Sequence, residues 1–246
     1  MRIAYFDCFS GCSGDMILGA LVDAGLSLDL LRSEIARLKL SGVDLKAEKV
    51  RRGALIGTRV QVITPPDPRP LRHLSDILTL LERSDLPETT LAPVRRIFER
   101  LGEAEAAVHG VPVERIHFHE IGAVDTIVDV TGAIVGLNAL EIREIYASAL
   151  HLGGGGSQAA HGDLPVPAPG TAQLLRGVPV YGSPVEAELT TPTGAAIVST
   201  LAKKFGPLPP LQISQVGYGA GSLDLAHRPN LLRLIVGERI DDLDRD

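Results

Sequence analysis

Four prolines fall within the seven residues 64–70 (TPPDPRP), and no helix or central strand can run through them. Each proline lacks a backbone N–H and fixes φ near −65°. The regular elements must therefore come from the stretches on either side, 1–64 and 71–237. Before the prolines, residues 2–7 read as a short strand and 16–24 as a helix stopped by Gly25. Residues 28–38 carry apolar side chains at 28, 31, 35 and 38, a helical period. Residues 43–50 and 55–63 alternate about Arg52-Gly53, the pattern of a hairpin. Beyond the prolines, helices are expected over 73–83, from Pro87 or Thr90 to about Val108, and over 125–140, 171–175 and 194–205. Strands are expected over 144–150, near Val180, and over 211–216 and 231–236. Such mixing predicts an α/β class (α+β mixed). A small strand–helix–hairpin lobe would precede a larger lobe of helices and strands. Residues 238–246 hold seven charges in nine and read as a solvated tail or a linker to a C-terminal domain.

Composition removes several functional classes. The formal net charge is −6, which argues against a protein that coats nucleic acid or an anionic membrane. Tryptophan is absent and aromatics are 4 % of residues, too few for base-stacking platforms. No run of about 18 apolar residues exists, so no membrane span is expected and a cytoplasmic protein is. Cys8 and Cys12 are neither a disulfide framework nor the C-x2-C zinc pattern. Gly and Pro together make 43 of 246 residues, which predicts prominent loops, above all 153–170 and 217–221.

Histidines gather beside those loops. The densest segment is HFHEIGAVD, residues 117–125. In extended backbone His117 and His119 point to one side. Two imidazoles with Glu120 close behind suit a borderline metal such as nickel or zinc. Asp125 and Asp129 are four apart on the following helix and share a face. Asp125 reads either as an N-cap or as a carboxylate that orients an imidazole. Asp129 reads as a structural helix carboxylate. His151 and His161 adjoin glycine-rich backbone, where the chain can approach a ligand closely. The plain alternative is a surface loop carrying ordinary histidines.

Two helix starts are candidate anion sites. SGCSGD, residues 10–15, lies between a strand and a helix, where backbone amides favour a phosphate at Ser13-Gly14. It lacks the lysine of a Walker loop, and Asp7 and Asp15 suit a hydrated divalent ion or a hydroxyl. TTPTG, residues 190–194, opens another helix. Thr191 and Thr193 there either hold a phosphate or simply cap.

Five motifs occur in order: DCFSGCSGDM at 7–16, HFHEIGAVDTIVD at 117–129, HGDLPVPAP at 161–169, ELTTPTGAA at 188–196 and GYGAG at 217–221. Together they resemble the N-terminal region of the nickel insertion proteins that mature the lactate racemase cofactor. The resemblance implies a nickel chelatase of the lyase class. Its substrate would be pyridinium-3,5-bisthiocarboxylic acid mononucleotide and its product the nickel-pincer nucleotide. It implies consumption of CTP, with Mn or Mg, in a C-terminal domain. It also implies that domain, lactate racemase and further copies of the chain (a homo-oligomer) as partners. Nickel would be held by His117 and His119 with His151 or His161, and Glu120 or Asp125 would bind or orient. The mononucleotide would use Asp7, Ser13, Gly14, Asp15, Thr191 and Thr193. The rival readings are a zinc-dependent hydrolase and a non-catalytic metal-binding module.

Overall fold

The strand Arg2–Asp7 (β1) lies inside a seven-stranded sheet in the computed structural model, which describes residues 1–64, 73–116, 118, 124–159, 162–225 and 228–240. After β1 come α1 (Gly14–Asp23), α2 (Leu28–Ala36) and a hairpin of β2 (Asp44–Arg52) and β3 (Leu55–Ile63). Next are α3 (Leu74–Glu82), α4 (Glu88–His109), a 3-10 turn (Val113–Arg115) and α5 (Val124–Ala139). A run of short strands follows: β4 (Glu144–Ala147), β5 (Leu150–His151), β6 (Gly153–Gly154), β7 (Gly156–Ala159) and β8 (Gly162–Pro165). Then come α6 (Pro169–Leu174), β9 (Val180–Tyr181), β10 (Ala187–Glu188), α7 (Pro192–Leu201), β11 (Ala202–Phe205), β12 (Leu211–Ala220) and β13 (Leu231–Arg239). The class is mixed α/β, as the sequence pattern predicts. No helix among the described residues is long and apolar enough to cross a membrane.

The sheet order is β11-β4-β1-β13-β12-β3-β2. β1 runs parallel to β4 and antiparallel to β13. Strands from before residue 65 and from after residue 72 thus lie side by side. The proline-rich segment itself lies outside the described residues. Alternation sorts β1 between two faces. Ala4 and Phe6 enter the main core with Leu232, Leu234 and Val236 of β13. Ile3 and Tyr5 turn to the other face and meet Tyr146 and Ile235.

Helix α1 lies directly on β12 and β3. A methyl group on Gly219 would land on the Met16 carbonyl oxygen, and one on Gly19 on the Thr58 carbonyl oxygen. Helix and strand therefore meet backbone to backbone. Asp23, at the end of α1, locks the contact by accepting from Tyr218 N at 2.8 Å and Thr58 Oγ1 at 2.5 Å. Behind α1 packs α5, and α4 packs on α5, α6 and α7.

Three expected segments come out differently. The glycine-rich 217–221 segment is not a loop, because β12 continues through Ala220 and its glycines are what admit α1. The helix expected to Phe205 stops at Leu201. Residues 202–205 become β11, pairing with β4 and tied to it by a Lys203–Glu144 ion pair. The 153–170 stretch is organised by β6 against β10 and by a β7–β8 hairpin closing at Ala159↔Gly162.

The glycine contact predicts a stability test. Gly219→Ala forces backbone apart and is expected to cost about 3 kcal/mol. That corresponds to a melting-temperature drop of roughly 6–12 °C for a chain of this size. Gly110→Ala, with open space around it and φ +64, should cost only about 1 kcal/mol. Thermal unfolding of both variants measures the contrast, and equal losses would contradict the packing.

Candidate functional site

Three helix starts converge on one cleft, and a short backbone joint makes them do so. After β1 the chain turns through Gly11 (φ +86) and docks on the 189–191 segment. Cys12 N donates to Leu189 O at 2.9 Å, and Thr191 N donates back to Cys12 O at 3.0 Å. A side chain on Gly11 would collide with Leu189 backbone, and one on Gly194 with Cys12 backbone. The N-cap of α1, Ser13, is thereby held beside the N-cap of α7, Thr191. Gly14 completes the meeting, since only a residue without a side chain leaves room there for the Asp129 carboxyl of α5.

The cleft holds about 360 Å³, within the range of small-molecule sites. Ser13, Gly14 and Asp15 line it from α1, Thr191 and Thr193 from α7, Asp125, Thr126 and Asp129 from α5, and Arg59 and Gln61 from β3. Six residues singled out from the sequence, namely Ser13, Gly14, Asp15, Asp125, Thr191 and Thr193, are therefore neighbours. Of the other lining residues two carry charge: Asp129, which the sequence presents as a structural helix carboxylate, and Arg59, for which it offers no site role. The Asp125/Asp129 spacing was the available signal for Asp129. Nothing in a strand's alternation says which cleft Arg59 will border.

The cleft combines opposite electrostatic tendencies. The amino ends of α1 and α7 and the Arg59 guanidinium favour an anion. Asp15, Asp125 and Asp129 favour a cation. Thr191 Oγ1 caps α7 by accepting from Gly194 N at 3.3 Å. Ser13 Oγ donates to Asp15 Oδ1, which also accepts from Met16 N at 2.9 Å. Burial pushes the Asp15 carboxyl above its ordinary range, even though the Ser13 and Met16 hydrogen bonds and Arg59 pull the other way. Asp129 is raised much further, first by burial and then by the charges of Asp15 and Asp125. Its Oδ1 is sealed from solvent and has no hydrogen-bond partner among the described residues.

Other expected site residues sit elsewhere. Asp7 is held in an ion pair with Arg233, whose Nε lies 3.0 Å from Oδ2. His151 is fully buried and stacked on Tyr181, with ring centroids 4.5 Å apart and planes 10° from parallel. Its Nδ1 lies 3.0 Å from Phe9 O, a carbonyl that also accepts from Tyr181 Oη at 3.3 Å and Arg228 Nη1 at 2.9 Å. Burial, with Arg228 nearby, holds the His151 pKa below its ordinary value despite the Phe9 carbonyl. His151 thus braces the loop that leads into α1 and does not line the cleft. Cys8 and Cys12 are buried beneath the same loop. Their mutual hydrogen bond, then burial, raises the Cys12 thiol well above its ordinary range. His117, His119, Glu120 and His161 lie outside the described residues. Among the described residues no three His, Cys, Asp or Glu side chains are grouped to hold a metal.

The raised Asp129 carboxyl has a stability consequence. Its folded value lies above the ordinary 3.8, so the unfolded chain ionises first as pH rises. Stability should therefore fall from about pH 4 upward until the folded carboxyl also ionises. Asp129→Asn removes this loss. In metal-free buffer the variant's urea midpoint should decline less than wild type between pH 5 and pH 7.5. Parallel declines would show that Asp129 is not held protonated.

The family profile described as nickel insertion protein matches residues 4–246. The pyridinium-3,5-bisthiocarboxylic acid mononucleotide nickel insertion protein of Desulfitobacterium hafniense (strain DSM 10664 / DCB-2) is 52 % identical over 98 % of this chain and 60 % of its own length. The protein of the same name from strain Y51 shows the same identity and coverage. A relative from Citrifermentans bemidjiense is 50 % identical over 97 % of this chain and 62 % of its own length. The chain thus spans about 60 % of the length of these curated relatives. No solved structure matches it. With its sheet, its converging helix starts and nearly its whole length accounted for, the chain belongs to the nickel insertion protein family.

Proposed function

We propose that this chain takes part in inserting nickel into pyridinium-3,5-bisthiocarboxylic acid mononucleotide, the activity named for the Desulfitobacterium relatives. The observation that carries the reading is the cleft in which the starts of α1 and α7 meet carboxyl groups from α1 and α5. A mononucleotide brings a phosphate, and the amides and hydroxyls at Ser13-Gly14 and at Thr191 and Thr193 are suited to it. Arg59, which lines the same cleft, adds a positive charge.

Nickel is the cargo. Neutral imidazoles of His117 and His119 would gather it, with Glu120 or Asp125 binding or orienting. Of the other two histidines, His161 is the better third donor, because the His151 ring is already engaged with the Phe9 carbonyl. A chelatase must release its metal, so a few exchangeable ligands suit it better than a closed four-ligand cage. The two thiocarboxylates of the substrate are soft donors that compete well for nickel. In the same reading CTP, with Mn or Mg, acts in a C-terminal domain. The overall reaction is of the lyase class, lactate racemase is a downstream partner, and the protein works as a homo-oligomer.

Calorimetric titration with nickel tests the assignment. The His117→Ala/His119→Ala double variant should bind nickel at least about tenfold more weakly than wild type. Unchanged affinity and stoichiometry would overturn it. Metal analysis of protein purified without added metal separates the rivals: stoichiometric zinc would favour a zinc-dependent hydrolase. A chain that binds nickel but not the thiolated mononucleotide would be a metal-binding module.

A further inference from the structure

The nickel reading gives the Asp129 carboxyl no task and the Asp15 carboxyl only a place beside the mononucleotide. Asp129 projects from α5 against Gly14 and lines the cleft, with Oδ1 buried and unpartnered among the described residues. Asp15 lines the same cleft from the first turn of α1. Burying a carboxyl without a partner is costly, and native proteins keep few such groups. A ligand that satisfies both carboxyls would remove the cost.

The donor chemistry narrows that ligand. Around these carboxyls the described lining of the cleft offers hydroxyls of Ser13, Thr191 and Thr193, the Arg59 guanidinium, and, among the described residues, no imidazole or thiol. Oxygen donors of this kind suit hard cations, whereas nickel and zinc are better served by nitrogen and sulfur. Magnesium-class ions are typically held by one or two carboxylates, with water and a substrate phosphate completing the octahedron. The neighbouring amino ends of α1 and α7 are where a phosphate would lie.

We propose that Asp15 and Asp129 hold a hard divalent cation of the Mg2+ class, separate from the nickel cargo, that bridges the protein to a phosphate bound at the starts of α1 and α7. The phosphate half of this inference rests on the mononucleotide reading above, and the cation half does not.

Electron paramagnetic resonance of Mn2+, titrated into the 246-residue chain with and without inorganic phosphate, tests it. One Mn2+ per chain should bind, be displaced by excess Mg2+, and bind severalfold more tightly with phosphate. Asp129→Asn and Asp15→Asn should each weaken binding at least tenfold, and His117→Ala/His119→Ala should leave it unchanged. Circular dichroism establishes that each variant is folded, and Asp15→Asn decides the matter if Asp129→Asn is not. No saturable Mn2+ binding in either buffer would overturn the proposal. So would equal binding in wild type and the folded aspartate variants, or loss of binding in the histidine variant. Binding that depends on the aspartates but not on phosphate would uphold the cation site and count against the mononucleotide reading alone.

Discussion

The candidate site depends on two hydrogen bonds between short loops. Cys12 and the 189–191 segment exchange backbone hydrogen bonds, and that exchange sets the start of α1 beside the start of α7. Nearly 180 residues separate the partners in sequence, so closing the contact carries a loop-entropy cost that two hydrogen bonds alone do not repay. The surrounding packing supplies the rest. Cys8, Cys12, Met16, Ala195 and Ala196 are buried in one core. Gly11 and Gly194 allow the backbones to approach, and the His151–Tyr181–Arg228 group grips the Phe9 carbonyl from the other side.

Once the helix starts are together, their electrostatics become useful and also expensive. Backbone amides at the ends of α1 and α7 favour negative charge, and Arg59 reinforces them. Three aspartates around the same volume repel one another, and burial drives two of them toward the protonated form. Asp129 is raised the further of the two, because the charges of Asp15 and Asp125 add to its burial. One cleft thus combines helix starts and a guanidinium that favour an anion with carboxyls that favour a cation.

Much of the fold was legible because local rules and tertiary packing agreed. The β2–β3 hairpin follows from alternation about Gly53, and α2 from apolar spacing at 28, 31 and 35. The failures have definite causes. Residues 202–205 look helical in isolation, but the unpaired edge of β4 captures them as a strand. Glycines at 217 and 219 look like loop formers, yet they serve a strand pressed against a helix. Local propensity carries no term for either neighbour.

For the candidate site, the sequence by itself determined the chemical inventory: two helix starts rich in Ser, Thr and Gly, an HxHE segment with aspartates behind it, and an order of motifs that marks the family. Those features follow from short-range spacing, which one chain displays directly. Only the tertiary structure decided which pieces share a cleft. It joined Ser13 and Gly14 to Thr191, Thr193 and Asp125, brought in Arg59 and Asp129, and turned Asp7 and His151 to the bracing of neighbouring elements. The physical reason is that these neighbours are set by close backbone approach and core burial between distant segments, and neither leaves a periodic trace in sequence.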